Sequence, residues 1–188
     1  MKTKSILLAL CGLAISFNSC SDDDDNDPVI ENEEEVITNV NFTLTADGAD
    51  PVTFTWVDAD GEGPAEAVAV GGTLKANTTY SAKLELSNVQ NGETEDVTEE
   101  IEEEDEEHQL FYSTNISGLS VTYTDKDGEG NPIGLETELK TGAAGKGTIT
   151  IFLRHEPNKS AEGVAEGNIA NAGGVNELDA TFDVDVVE

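Results

Sequence analysis

The stretch Leu178–Val186, with the sequence LDATFDVDV, decides the fold class, because apolar and polar residues alternate along its whole length. Successive side chains of a β-strand point to opposite faces of the sheet, so this pattern predicts a strand with one buried and one solvated face. The same period of two recurs in Val40–Ala46, Val52–Trp56, Tyr80–Leu86 and Thr148–Leu153. Most of the chain is therefore predicted to be β-structure.

Turn-forming dipeptides separate these segments, among them Asp47-Gly48, Asn91-Gly92 and Asp127-Gly128. Short strands with one apolar face each favour two antiparallel sheets packed face to face. We predict an all-β fold: an antiparallel, immunoglobulin-like β-sandwich of seven to nine strands, with a short acidic helix or loop near residues 96–108. This sequence lacks the Cys–Trp–Cys signature of antibody domains. The likeness to an immunoglobulin domain therefore concerns architecture alone.

The first nineteen residues are typical of a lipoprotein signal peptide. Lys2 and Lys4 precede the apolar run Ile6–Ile15. A run of that length is too short for the ~30 Å hydrocarbon core of a membrane but suits a signal peptide. Phe17-Asn18-Ser19-Cys20 is similar to a lipobox and predicts that Cys20 is acylated. An ordinary secretory signal that leaves Cys20 as a free thiol is the alternative.

Residues 20–35 are predicted to form a lipidated cysteine and a disordered tether, followed by one domain at 36–188. Ser21–Glu35 holds nine acids in fifteen residues, a composition that cannot drive collapse. Cys20-Ser21 and the four aspartates that follow resemble the export tag of surface-displayed lipoproteins in Bacteroidetes-type bacteria. That resemblance implies an outer-membrane anchor with the domain facing outward; a periplasm-facing anchor is the alternative.

The strongly acidic composition limits the classes of partner. A formal net charge of −31 repels phosphate, so nucleic acid is not an expected partner. The chain has no phosphate-binding loop of Walker spacing, and two histidines do not define a catalytic triad. We therefore expect a protein that is not an enzyme.

The densest acidic run is Glu93–Glu107, with eleven acids in fifteen residues. Asp96 and Glu99 have the spacing of a capping box, which predicts a short helix that begins after Asp96. Like charges one turn apart destabilise such a helix, and a bound cation would relieve the repulsion. A solvated acidic face is the alternative.

The only two histidines suggest a metal site. His108 ends the acidic run, and His155 lies far along the chain. With Glu104 and Glu107 they form a candidate ligand set for zinc or another transition metal, provided that the two histidines meet in space. Histidines that are merely structural, each beside a carboxylate, are the alternative.

A second candidate is a calcium loop. Asp125, Asp127 and Glu129 stand at positions 1, 3 and 5 of a calcium-loop pattern, Gly130 at position 6 and Glu136 at position 12. Predicted strands flank the loop, which excludes an EF-hand. Weak calcium binding and ordinary Asp-Gly turns both remain open.

Three parts of the chain together resemble a group of small lipoproteins of flavobacteria and other Bacteroidetes: Thr98–Tyr112, Leu153–Lys159 and Gly173–Phe182. Such proteins sometimes carry the label of a type 1 periplasmic-binding fold. The sequence does not support that label, because it lacks alternating strand and helix units. The resemblance implies a lipoprotein and places both histidines in its distinctive segments.

Two classes of function follow. The first is a binding module for a cation or small ligand, held at the membrane by its lipid and accessory to an outer-membrane receptor for uptake. It requires that the histidines and nearby carboxylates converge. The second is a structural or adhesive surface domain, whose acidity serves solubility and repulsion. It expects dispersed histidines.

Overall fold

The structure, a computed structural model, describes residues 35–61 and 63–188. These residues belong to one compact unit, Glu33–Glu188. The predicted signal peptide, Cys20 and residues 20–34 of the tether lie outside the described residues. In the described part of the chain, no helix has both the length and the apolar character needed to cross a membrane.

Strands dominate the described part of the chain. Its elements are β1 (Asn39–Thr45), β2 (Val52–Val57), β3 (Val68–Val70), β4 (Gly72–Lys75), β5 (Thr79–Gln90), β6 (Glu93–Glu95), α1 (Val97–Glu103), β7 (His108–Thr114), β8 (Ser120–Tyr123), β9 (Glu136–Lys140), β10 (Gly145–His155), a 3₁₀ turn (Ile169–Asn171) and β11 (Val175–Val187).

The strands form two sheets. The larger has the order β3-β2-β1-β5-β9-β8, with β6 paired to β5, and the smaller has the order β4-β11-β10-β7. Neighbours are antiparallel except β4, which runs parallel to β11. This arrangement confirms the predicted all-β sandwich. The described residues form eleven strands rather than seven to nine, because β3, β4 and β6 are too short to show a period.

The alternating residues meet between the sheets. Leu178, Ala180, Phe182, Val184 and Val186 are all buried on β11. Aromatic rings join the two sheets, since the ring of Phe54 on β2 lies 5.7 Å from that of Phe182. Each such buried ring contributes roughly 1.5–3 kcal/mol relative to an exposed one. The core therefore holds the sandwich without help from a disulfide among the described residues, which include no cysteine.

The helix α1 falls inside the predicted 96–108 region. The side chain of Asp96 caps it by accepting hydrogen bonds from the backbone N–H groups of Thr98 (3.1 Å) and Glu99 (3.4 Å). The buried Thr98 hydroxyl accepts from the Leu86 N–H (2.8 Å) and donates to the Leu86 carbonyl (3.0 Å). These bonds dock α1 on β5 and direct the following acidic turn to the start of β7.

The segment 156–174 covers part of the outer face of the smaller sheet. It forms a second small core there, in which Phe111, Val164 and Ala172 are buried, with Phe152, Ala161 and Ile169 packed against them. The outward residues of β7 and β10 are thus less solvated than simple alternation suggests.

Candidate metal centre

The two histidines meet at one end of the sandwich. His108 begins β7 and His155 ends β10, and the two are direct cross-strand partners. Their rings stack with centroids 4.8 Å apart and an angle of 15° between the planes. Both lie on the interior face that also carries Leu110 and Leu153, and their side chains are only 1% and 7% exposed. The convergence required by the metal hypothesis is therefore present.

A third residue, Glu177, reaches the histidines because β11 is irregular. Leu153 pairs with Leu178 but Arg154 pairs with Asn176, so Glu177 is an extra residue in the ladder. Regular alternation would place it outward, two positions from Asp179. A β-bulge re-aims a side chain in this way. The Glu177 side chain is 1% exposed.

The two oxygens of Glu177 face different partners. Oε1 accepts a hydrogen bond from the Glu35 backbone N–H (3.1 Å) and lies 3.2 Å from Nδ1 of His155. Oε2 lies 3.6 Å from Nε2 of His108, beyond hydrogen-bond range, and neither of these two buried atoms has a hydrogen-bond partner. Buried polar atoms without partners cost free energy and call for an explanation.

A metal ion offers such an explanation. Zinc bonds to imidazole nitrogen and carboxylate oxygen are ~2.0–2.2 Å, so two ligands at a tetrahedral angle stand ~3.4 Å apart. The separation of 3.6 Å between Nε2 of His108 and Oε2 of Glu177 is close to that value. One ligand atom from each of His108, His155 and Glu177 lies within 4.8 Å of the others.

The two predicted carboxylates flank this centre. Glu104 caps the C-terminus of α1, and its Oε2 lies 3.9 Å from Nδ1 of His108. Oε2 of Glu107 lies 3.8 Å from Nε2 of His155. Glu104 and His108 meet across the turn that follows α1, since α1 ends at Glu103. Carboxylates and imidazoles therefore alternate from Glu104 through Glu177 to Glu107.

Two further groups of described residues could hold a metal ion. Glu35 and Glu104 converge with His108, and Glu107 and Glu156 converge with His155. The same end of the sandwich thus offers one buried and two more exposed positions for a cation, which share the histidines.

The electrostatics of the centre favour positive charge. Burial, the contact with Glu100 and the charge of Glu177 raise the pKa of Glu35 from 4.5 to about 8. Burial opposes the charged form of His108, but its contacts with Glu177 and the Glu104 carbonyl outweigh that, so its pKa lies above 6.5. Burial is the largest cause of the raised pKa of Glu35, and the negative charges of Glu100 and Glu177 add to it.

All four predicted ligands, His108, His155, Glu104 and Glu107, gather at this centre. The sequence did not predict Glu177 as a ligand, because a bulge without a sequence signature moves it off the outer face. It did not predict Glu35 either, because that residue ends an acidic segment that was interpreted as the tether. Glu177 fits the polar positions of the alternating pattern beside Leu178, so no signal in the sequence indicated its inward position.

In the predicted calcium loop, the side chains of Asp125 and Asp127 accept hydrogen bonds from the backbone of the loop itself. Asp125 accepts hydrogen bonds from the backbone N–H groups of Gly134 (2.9 Å) and Glu136 (2.8 Å). Asp127 accepts through Oδ1 from the N–H groups of Glu129 (3.0 Å) and Asn131 (2.8 Å). The carboxylates of Asp125 and Asp127 therefore stabilise the backbone conformation of this loop.

The remaining oxygen of Asp127 is bound by a lysine. Nζ of Lys159 lies 2.9 Å from Oδ2 of Asp127 and also donates to the carbonyls of Asp105 and Pro132. Glu129 and Glu136 are exposed, and no metal-compatible group of described residues includes this loop. The arrangement disfavours calcium at Asp125, Asp127, Glu129 and Glu136, because an ammonium group already neutralises the buried carboxylate.

Comparisons of the chain with protein-family models, curated proteins and solved structures found no match.

Proposed function

We propose that this protein is a non-catalytic, lipid-anchored binding module that captures a divalent transition-metal cation, with zinc as the first candidate. His108, His155 and Glu177 are the proposed ligands. Glu104 and Glu107 flank them as neighbouring carboxylates, and the carboxyl group of Glu35 lies beside His108.

One observation supports the proposal above the others. Nε2 of His108 and Oε2 of Glu177 are buried, lack hydrogen-bond partners and stand 3.6 Å apart beside the stacked ring of His155. Exposed acidic residues are common without a metal, but a buried carboxylate between two buried imidazoles is not a solvated face. It supports a binding role over the structural or adhesive alternative, which expects dispersed histidines.

The ligand types favour zinc over calcium. Imidazole nitrogens suit zinc, copper, nickel and iron, whereas calcium takes six to eight oxygens. Three protein ligands leave a coordination position open, as in sites that exchange a ligand. Delivery of the cation to an outer-membrane receptor is compatible with such a site.

The proposed location follows from the N-terminal sequence. Acylation at Cys20 would hold the chain at the outer membrane. The acidic residues after Cys20 would act as the export tag that brings the domain to the outer surface. We also propose that the protein is related to the small lipoproteins of Bacteroidetes that its sequence resembles.

Calorimetric titration of zinc chloride into the full-length protein tests the proposal. We expect one saturable site in physiological salt, lost in Glu177→Gln and in the double variant His108→Ala/His155→Ala. Glu177→Gln conserves size, so thermal unfolding of this variant confirms that the fold persists. Glu138→Gln, an exposed change on β9, is the matched control and should retain binding. Zinc binding that survives both site variants, or no saturable site in the wild type, would contradict the proposal.

A further inference from the structure

The two histidines of the metal centre differ in what their second ring nitrogen contacts. Nδ1 of His108 donates a hydrogen bond to the backbone carbonyl of Glu104 (3.3 Å), which leaves Nε2 as the nitrogen that faces Glu177. A histidine ligand is commonly oriented by such a bond from its other nitrogen. The backbone therefore already occupies the nitrogen of His108 that points away from Glu177.

His155 directs its second nitrogen to carboxylates instead. Its Nδ1 lies 3.2 Å from Oε1 of Glu177, and its Nε2 lies 3.8 Å from Oε2 of Glu107. One ligand atom from each of Glu107, His155 and Glu156 lies within 4.8 Å of the others, which is compact enough for a metal ion. This set combines an imidazole with two carboxylates, and both ligand types suit zinc.

The set around His155 reaches the solvent. The side chain of Glu107 is 51% exposed and Glu156 is also exposed, whereas the side chain of Glu177 is buried. The N–H of Glu156 donates to the carbonyl of Glu107 (2.7 Å), so these two residues continue the pairing of β7 and β10 by one step. They lie at the rim of the centre, and the imidazole of His155 lies between them and Glu177.

We propose that Glu107, Glu156 and Nε2 of His155 form an outer position that binds a divalent transition-metal cation before it passes to the buried centre. Exposed negative charge raises the local concentration of cations and the rate of their capture. Water competes for the ion at the outer position, so the buried centre remains the tighter site. The inference rests on the proposed function, because both concern the same cation.

The rates of zinc exchange in the full-length protein test this inference. Stopped-flow mixing with zinc chloride and a fluorescent zinc indicator gives the association rate. Transfer of zinc from the loaded protein to an excess of a coloured chelator gives the release rate. In Glu107→Gln/Glu156→Gln we expect both rates to fall, association by roughly tenfold, because the ion passes the outer position in both directions. The dissociation constant should change far less than either rate.

Glu102→Gln/Glu103→Gln is the matched control. It also removes two exposed acids near this end of the sandwich, and they belong to no metal-compatible group of described residues. Its release rate should stay near that of the wild type. If Glu107 and Glu156 only attracted the ion or oriented His155, their replacement would weaken affinity and speed release.

The outcomes separate this inference from the proposed function. Faster release or wild-type rates in Glu107→Gln/Glu156→Gln, or equal slowing in the control, would overturn the inference while the wild type still binds zinc at one saturable site. A wild type without a saturable zinc site would overturn the proposed function and the inference together.

Discussion

At the scale of single residues, Glu177 is the carboxylate that lies between the two buried imidazoles of the candidate centre. Its carboxylate is buried, contacts both imidazoles and accepts a bond from the Glu35 N–H. A buried carboxylate normally needs a cationic partner or several donors. Against the effect of burial, contacts with Glu177 and the Glu104 carbonyl raise the pKa of His108, and a bound metal ion would supply positive charge to the same carboxylate.

Glu35 predicts how the stability of the metal-free protein depends on pH. Its pKa is about 8 in the folded protein and 4.5 ordinarily, so the folded state binds more protons between these values and stability falls as pH rises through them. Glu35→Gln should therefore match the wild type near pH 4.5 and exceed its stability at pH 9, measured by urea unfolding with chelator present.

His108 acts in the same direction and is unchanged in that variant. Its raised pKa gives stability that is present below pH 6.5 and lost as pH rises through the folded value, so some pH dependence should remain. Glu138→Gln is the exposed control and should show little change at either pH. A Glu35→Gln protein less stable than the wild type at pH 9 would contradict the account.

At the scale of elements, Lys159 ties three segments together. Its ammonium group joins Asp127 in the loop before β9, the carbonyl of Asp105 in the acidic turn and the carbonyl of Pro132. Burial alone would raise the pKa of Asp127, but Lys159 and the Asn131 N–H outweigh it and hold that pKa below 3.8.

Replacing Lys159 should leave the Asp127 carboxylate buried without its cation. Lys159→Met is expected to reduce the free energy of unfolding by about 3–5 kcal/mol at pH 7, measured by denaturant unfolding. Because the folded pKa of Asp127 is depressed, the loss should shrink as pH falls through that value.

Lys146 provides a matched control. Its ion pair with Asp185 is largely exposed, at 79% and 43% for the two side chains, so Lys146→Met should cost under about 1 kcal/mol. Equal losses for the two lysine variants would show that Lys159 does not hold these segments together.

The sequence predicted the elements better than the site. Alternation identified strands such as β11 because a period of two directly reflects which face is buried, and Asp96 marked the start of α1 through its capping spacing. The convergence of His108 and His155 required the register of β7 against β10, which no local pattern contains. The bulge at Glu177 reversed the direction that alternation gave that residue.

At the scale of the whole molecule, the acidity and the proposed anchor belong together. A formal charge of −31 raises the local concentration of cations around the domain. A tether at the membrane would place this cation-attracting domain beside an uptake receptor. Under the proposed function, the buried histidines would supply the selectivity for a transition metal that a solvated acidic surface lacks.

The anchor itself is testable through the two cysteines. Cys20→Ala should release the protein from the membrane fraction of an expressing diderm bacterium, because no lipid can then be attached. Cys11→Ala, within the predicted signal peptide, is the control and should leave anchoring intact. Cell fractionation measures the membrane association, and mass spectrometry of the mature N-terminus measures the attached lipid. Membrane association of Cys20→Ala equal to that of the wild type would argue against lipidation.

In the proposed centre, two imidazoles and a carboxylate hold one metal ion. X-ray absorption at the zinc edge of the stoichiometrically loaded full-length protein identifies the atoms bound to that ion. We expect nitrogen and oxygen ligands at ~2.0–2.2 Å with the outer-shell scattering of two imidazoles. That scattering should vanish in His108→Ala/His155→Ala. A spectrum of oxygen ligands alone, without imidazole scattering, would place the zinc on surface carboxylates and contradict the claim.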